Sequence, residues 1–375
     1  MAIYDFVATC LFGLEKLLGA ELDALGVTRT ETMDGRVYFR AGMDAIPRCN
    51  LHLRTAERVY LLLGRFPART FTELFDGTAA LPWADFIGAD DAFPVKGHAI
   101  RSTLYSVPDC QSIVKKAIVS ALSRAYGQQW FAETGVKYQI EFFLFKDEAA
   151  LMIDTSGVAL HKRGYRPAAN AAPLRETLAA ALAMTARPRN DVLFWDPTCG
   201  SGTIAIEAAL LQSKTAPGLG RTFAAEAYPW IPADLWEDGR DEAIASIDED
   251  ADFAVWASDI DPACVALTRE NARRAGMSAY LKVFEADVRT IEKPDCRGTI
   301  VCNPPYGERL MTPEEVELLY RAMGERLASF APWQIYVLTS HEGFERLYGR
   351  RADKIRRLYN GIIPCNFYQF FKPQR

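Results

Sequence analysis

Histidine and paired cysteine are what this chain has least of. Its 375 residues include four histidines, His52, His98, His161 and His341, and eight cysteines scattered from Cys10 to Cys365 with no Cys-x-x-Cys pair. That spacing offers no zinc site, and it predicts neither a disulfide framework nor a structural metal. No apolar run approaches the ~18 residues that a membrane helix needs. The N-terminus lacks the basic start, apolar core and small-residue cleavage site of a signal peptide, so the expected location is the cytoplasm. Internal repeats and low-complexity linkers are also missing.

The chain that remains is 49% hydrophobic and 24% charged, long enough for two or three globular domains of roughly 100–200 residues each. Its net charge of −5 is unevenly spread. Residues 221–262 hold twelve Asp and Glu against Arg221 and Arg240, so everything outside this acidic insertion sums to +5. A local basic face, and with it a nucleic-acid partner, is compatible with that total. Nothing in the sequence assigns the insertion a role.

Periodicity divides the chain near Gly157. The N-terminal third reads as α+β. It starts with a strand at 3–9, a helix carrying Leu14, Leu17, Leu18, Leu22 and Leu25 and stopped by Gly26, a strand at 37–40, and a second helix predicted over 46–63. This start is a ferredoxin-like half. A second unit follows, with a helix near 71–87, a strand at 93–103, an amphipathic helix through Ile113–Leu122, and a hairpin of 138–145 and 150–154. Beyond the basic segment Leu160–Arg166, Pro173 opens an Ala/Leu helix to Ala186. Strands near 192–195, 253–257, 281–285, 299–302 and 334–339 then alternate with helices near 202–212, 262–275 and 313–330. That rhythm predicts an α/β fold with a mostly parallel, doubly wound sheet. A basic hairpin near 354–371 ends the pattern.

Two motifs carry chemistry. Thr299-Ile-Val-Cys302 runs into Asn303-Pro304-Pro305-Tyr306, a buried strand that stops in a stiff polar turn, because both prolines fix φ and lack an N–H. Open α/β sheets place ligands at such strand ends. The Asn303 amide oxygen and the Pro304 carbonyl can accept from a planar NH2 group, and Tyr306 can stack on the ring that bears it. The second motif is Asp196-Pro-Thr198-Cys199-Gly200-Ser201-Gly202-Thr203, between a strand and a helix. Its glycines let backbone pass close to a ligand, and the helix start offers free N–H groups. A dinucleotide fold would place its ribose acid ~20 residues on. Here the next strand-end acid is Asp259, followed by Ile260, and a third strand ends at Asp287-Val288. In order, these ends read as glycine loop, ribose acceptor, adenine acceptor and catalytic turn. Singly, each acid also reads as a helix cap, as for Asp261 ahead of Pro262.

The quoted pieces, with Ala8–Glu15, Leu160–Arg166 and Ala172–Thr177, resemble the bacterial THUMP-domain RNA guanine-N2-methyltransferases, close to single-catalytic-domain relatives of the 23S rRNA methyltransferase K/L family. The resemblance spans nearly the whole chain. It implies a ferredoxin-like domain at 1–65, a THUMP domain for RNA at 66–156 and a class I methyltransferase domain at 157–375. It also implies S-adenosylmethionine as donor, Pro173 and Thr177 beside that donor, and methyl transfer to a guanine N2 in structured RNA. Lys162, Arg163, Tyr165 and Arg166 are the candidate RNA contacts, against a solvated basic turn. Rival readings are a tRNA guanine methyltransferase, an RNA adenine or protein glutamine amino-methyltransferase, a non-catalytic RNA-binding ribosome-assembly factor, and a nicotinamide-dependent oxidoreductase. The last has no use for Asn-Pro-Pro-Tyr.

Overall fold

A computed structural model describes residues 2–166, 174–307 and 311–372. Its first half contains strand β1 (Tyr4–Cys10), helix α1 (Glu15–Ala24), strands β2 (Thr28–Met33) and β3 (Arg36–Ala41), helix α2 (Ala45–His52) and the long strand β4 (Ala56–Pro67). Helix α3 (Phe71–Ala79), strand β5 (Val95–Ile100), helix α4 (Val107–Tyr126) and strands β6 (Ile140–Phe145) and β7 (Glu148–Asp154) complete it. All seven strands form one sheet in the order β2-β3-β1-β4-β7-β6-β5, with β4 joining the two predicted units. The expected helix over 46–63 is a correction: it ends at His52, and 56–67 is that central strand. Its apolar stretch Val59–Leu63 lacks alternation, and pairing with β1 on one side and β7 on the other overrides its helical spacing. The helix predicted near 71–87 stops at Ala79, and edge strand β2, Thr-Arg-Thr-Glu-Thr-Met, was not foreseen.

Strand residues alternate between faces. Phe6, Phe39, Leu61, Phe142 and Leu151 lie in the main core cluster with helix residues such as Leu18 and Val114. Their neighbours Val7, Tyr38, Tyr60 and Met152 form a separate small cluster with no helical residue in it. One face of the sheet is therefore helix-covered and the other is not.

The second half runs through α5 (Glu176–Ala186), β8 (Leu193–Asp196), α6 (Thr203–Gln212), α7 (Ala233–Ala245), β9 (Val255–Asp259), α8 (Pro262–Arg274), β10 (Leu281–Glu285), β11 (Gly298–Cys302), α9 (Pro313–Ala328), β12 (Gln334–Thr339), α10 (Phe344–Tyr348), β13 (Lys354–Asn360) and β14 (Ile363–Phe370). The sheet order is β10-β9-β8-β11-β12-β14-β13. The first five strands pair in parallel, and the terminal hairpin adds antiparallel. The chain moves outward from β8 to β9 and β10, then returns to β11 on the other side of β8. This reversal puts the topological switch point between β8 and β11. No helix among the described residues is long and apolar enough to cross a membrane.

The acidic insertion, together with the turn just before it, is a clasp between the halves. Gly218 donates to the Leu51 carbonyl (2.9 Å), Ala225 N–H to the Thr155 carbonyl (3.0 Å), and the Tyr228 hydroxyl to the Asp154 carbonyl (2.7 Å). Tyr228 stacks on Tyr138 at 4.4 Å, and Phe223 on Trp236 at 5.4 Å. Most of its carboxylates lie on α7 or the segment after it, away from these contacts. A Cβ on Gly218 would lie 2.7 Å from Leu51 Cα and 2.8 Å from the Asn50 carbonyl oxygen, both backbone. Gly218→Val should therefore lower unfolding free energy by about 1–3 kcal/mol, read from urea melts; an unchanged midpoint would show that the clasp does not hold the halves together.

Candidate active site

The carboxyl ends of β8, β9 and β11 converge on one loop. β8 delivers Asp196, whose side chain is buried and accepts the Thr198 N–H at 3.2 Å. Burial holds this carboxyl well above the usual range, and the charge of Asp259 adds to the effect. Gly200 and Gly202 sit at φ +54° and +80°, which only glycine adopts freely. A Cβ on Gly202 would also meet Thr268 Cγ2 at 2.5 Å. Asp259, at the end of β9, accepts from Gly200 N–H at 2.9 Å and from Asp261 N–H at 3.0 Å. Helix α8 secures the loop from outside: Thr268 donates to the Gly200 carbonyl (3.0 Å) and Asn271 to that of Ser201 (2.9 Å). Asp261 also caps α8 through Ala263 N–H at 2.8 Å.

Cys199 is buried beside Thr268, and burial raises its thiol. Thr198 Oγ1 is buried toward Cys302 without a well-formed hydrogen bond. Ile260 is 57% exposed at the same strand end, an apolar surface open to a ligand ring. Asp287 and Val288 stand differently. Arg289 grips both Asp287 oxygens, Nη2 at 2.6 Å, and these hydrogen bonds hold the carboxyl below its usual range. Val288 is buried in the second core cluster. The expected adenine acceptor is thus already engaged, by a partner two residues along the chain.

β11 ends at Cys302 beside β8, so the Asn303–Tyr306 turn that follows it and the glycine loop flank the switch point. The Tyr320 hydroxyl donates to the Pro305 carbonyl at 2.7 Å and lies 2.8 Å from Thr339 Oγ1. Among the described residues no donor meets the Pro304 carbonyl. Tyr306 is not presented as an open stacking platform. Its ring packs against the main core and its hydroxyl donates to Asn303 Oδ1. Burial, then the neighbouring Cys365, raises that hydroxyl well above the usual phenol range, so it remains a donor.

The basic segment needs correction. Arg163 is 4% exposed, with Nη1 on the Leu160 carbonyl at 2.7 Å and Nε 3.5 Å from buried Glu207. Tyr165 is buried and donates to Glu207 at 3.1 Å. Arg166 bridges the Leu174 carbonyl (2.8 Å), Thr203 Oγ1 (2.7 Å) and Glu176 (3.0 Å). All three are held inside the protein: Arg163 also donates to the Arg54 carbonyl of the N-terminal half, while Tyr165 and Arg166 bond within the second half, and Glu207 and Glu176 face the two guanidinium charges. Lys162 alone of the four is exposed. Pro173 lies outside the described residues.

Thr177 and His161 meet at a residue the motifs did not flag. Glu57 of β4 accepts from Thr177 (2.5 Å) and Arg175 (3.0 Å), with His161 Nδ1 at 2.9 Å. Burial pushes this carboxyl up, but the His161 and Thr177 hydrogen bonds and the Arg175 charge outweigh it, so it lies below the usual range. The missed signal was modest: an acid beside a strand that was itself read as helix.

Similarity places the chain. Residues 163–369 match the RMKL-like methyltransferase domain, 68–154 the THUMP domain and 5–60 the RlmL ferredoxin-like domain. The chain is 44% identical to YpsC of Bacillus subtilis (strain 168), whose name gives it as an inferred RNA methyltransferase, covering 100% of this chain and 98% of that one. It is 34% identical to the ribosomal RNA large subunit methyltransferase K/L of Aliivibrio fischeri (strain MJ11), covering 96% of this chain but 52% of that protein. The structure of SMU.472, a methyltransferase described as complexed with SAH, superposes with a TM-score of 0.93 at 39% identity over 100% of this chain and 99% of that one. The chain belongs to the RMKL-like methyltransferases, with THUMP and RlmL-type ferredoxin-like domains ahead of the catalytic domain.

Two outcomes follow from the burial pattern. Arg163→Ala strips Glu207 of its cationic partner and should cost about 3–5 kcal/mol in a denaturant melt; a change below experimental error would return Arg163 to the surface. Asp196 has a raised folded pKa, so its favourable contribution is complete below the unfolded value and is lost as pH rises through the folded one. Asp196→Asn should therefore stabilise the ligand-free protein, by an amount that grows from acid toward neutral pH. A gap that shrinks with rising pH would contradict the assignment.

Proposed function

We propose that this chain transfers a methyl group from S-adenosylmethionine to the exocyclic N2 of a guanine in structured RNA, with 23S rRNA the first candidate and tRNA the second. The carrying observation is the placement of Asn303, with its amide and the adjacent Pro304 carbonyl, which meets no donor among the described residues, beside the Asp259-fixed glycine loop across the β8/β11 switch point. The loop suits the donor: two glycines at positive φ, an exposed Ile260, and a buried Thr198 hydroxyl with no well-formed hydrogen bond among the described residues. In this reading Thr177, Asp196, Thr198, Cys199, Gly200, Ser201, Gly202, Asp259 and Ile260 shape the donor side, with Asp287 and Val288 behind it. Asn303, Pro304, Pro305 and Tyr306 form the acceptor side.

The donor, when bound, supplies an electrophilic methyl carbon on sulfur. A guanine N2 is a poor nucleophile because its lone pair is delocalised into the ring. Asn303 Oδ1 and the Pro304 carbonyl would accept both N–H groups and favour a more tetrahedral nitrogen, an interaction strongest in the transition state. The incoming amino group would replace the Tyr306 hydroxyl on Asn303, freeing Tyr306 to turn toward the base. A target inside folded RNA would first be extruded. The segments 1–65, 66–156 and 157–375 would serve as ferredoxin-like, RNA-binding and methyltransferase domains, with Lys162 reaching RNA phosphate, in the cytoplasm where both substrates occur.

Asn303→Ala should slow single-turnover methylation of total RNA from cells lacking the enzyme by about 100-fold or more, while donor affinity by calorimetry stays within a few-fold. The guanine product would be identified as N2-methylguanosine by mass spectrometry. Wild-type single-turnover rates, or a methyl group found on adenine, would overturn this reading.

A further inference from the structure

We propose that the helix-free face of the N-terminal sheet binds an unpaired RNA strand and leads it to Asn303. The proposal rests on the RNA methyltransferase reading and adds the form of RNA recognised and the surface that recognises it.

Alternation along β6 and β5 sets up the surface. Ile140, Phe142 and Leu144 are buried under the helices, whereas Phe143 and Phe145 turn to the other face. Their rings stack at 5.9 Å and 18°. Across from them Arg36, the first residue of β3, lays its guanidinium 3.3 Å over Phe143, and its Nε and Nη1 have no hydrogen-bond partner. A buried guanidinium with unmet donors is costly, and an anionic ligand would relieve it. The cleft that this face borders measures about 1390 Å³, beyond the roughly 300–1,000 Å³ of small-molecule sites. Residues 222–224 of the acidic clasp wall its far side.

The charge balance favours a polyanion. Of the cleft's four acids, Asp154 is matched by Arg58 and Glu57 by Arg175, Glu141 lies 3.5 Å from His98, which is a cation only when protonated, and Asp34 has no ion-pair partner among the described residues. Lys96, Arg101, Lys137 and Lys146 line the cleft with no carboxylate in ion-pair contact among the described residues. Lys146 also lies 5.1 Å over Phe145. Half-exposed rings interleaved with free cations suit bases whose faces are bare, which a duplex hides within its stack.

The cleft also points the right way. Phe12 stands on its rim and meets Tyr359 of β13 edge-on at 6.0 Å. The next residue, Asn360, stands near the Tyr306 hydroxyl, which donates to Asn303. A strand leaving the cleft past Phe12 therefore meets the terminal hairpin that borders the catalytic turn.

The test is fluorescence anisotropy of the full chain with a labelled unpaired oligoribonucleotide and a blunt RNA hairpin of equal length. The unpaired strand should bind at least about fivefold tighter, and Phe143→Leu and Arg36→Gln should each weaken it about fivefold or more. Arg36→Gln should also reduce the salt dependence by about one phosphate contact. Lys116→Gln, on the exposed side of α4, should bind like wild type. Unchanged melting and donor affinity would show that the variants are folded. Tighter binding of the hairpin, or wild-type binding by both cleft variants, overturns the proposal while leaving the RNA reading in place if total RNA is still methylated. If neither RNA binds and no RNA is methylated, the RNA reading fails and the proposal with it.

Discussion

Glu57 stands in the central strand of one sheet and accepts hydrogen bonds from the first turn of a helix that packs on the other. Around it the molecule buries an unusual amount of charge. Arg54 donates to the Leu210 and Thr215 carbonyls (3.2 and 2.8 Å), Arg163 and Tyr165 converge on Glu207, and Arg166 links Glu176 to Thr203 at the start of α6. Burial lowers the Arg54 guanidinium, and the charges of Glu207 and Glu21 oppose that shift. Ion pairs taken out of water return little stability when they replace packed apolar side chains. They do fix orientation, because each donor has few acceptors that it can reach. The apolar side of the seam is continuous as well: one core cluster runs from Phe6 through Leu160 and Leu178 to Phe367. The N-terminal sheet is thereby set at a defined distance from the donor loop, and the acidic clasp repeats the tie on the opposite side.

That docking gives the two halves a division of labour. In the proposed reading the parallel sheet supplies the chemistry at a switch point, where the ends of three strands meet and Thr268, Asn271 and Tyr320 hold their loops. The N-terminal sheet supplies a broad face whose rings and free cations lie outside the catalytic turn. Under the proposed function a rigid seam would make the second useful to the first, since a bound RNA would then be held in one register against Asn303.

The catalytic half was the more legible one. Each of its strands is a short apolar run ending in a chemically marked turn, and the predicted strands at 281–285 and 334–339 coincide with β10 and β12. The N-terminal sheet was harder, because β4 carries the non-alternating apolar stretch Val59–Leu63 and β2 is a polar edge with one neighbour. Within the site, the glycine loop, Asp259 and Asn303 stand at adjoining strand ends, as their order in the chain anticipated. Arg163 and Arg166 misled because sequence displays charge but not burial, and Glu207 lies 44 residues beyond Arg163. Asp287 misled for a more local reason, since Arg289 was in plain view. Glu57 could not be recognised until its strand was known.

The seam can be measured as a distance. Cys296 is an exposed thiol of the catalytic half, and Lys116→Cys would place a second on the outer side of α4. Spin labels at the two sites, read by double electron–electron resonance, should give one narrow distance distribution that is the same with and without the donor. A broad or two-component distribution in the donor-free protein would mean that the halves swing independently, and would contradict an account in which the Glu57, Arg54 and Arg163 contacts across the seam hold the two halves in a single frame.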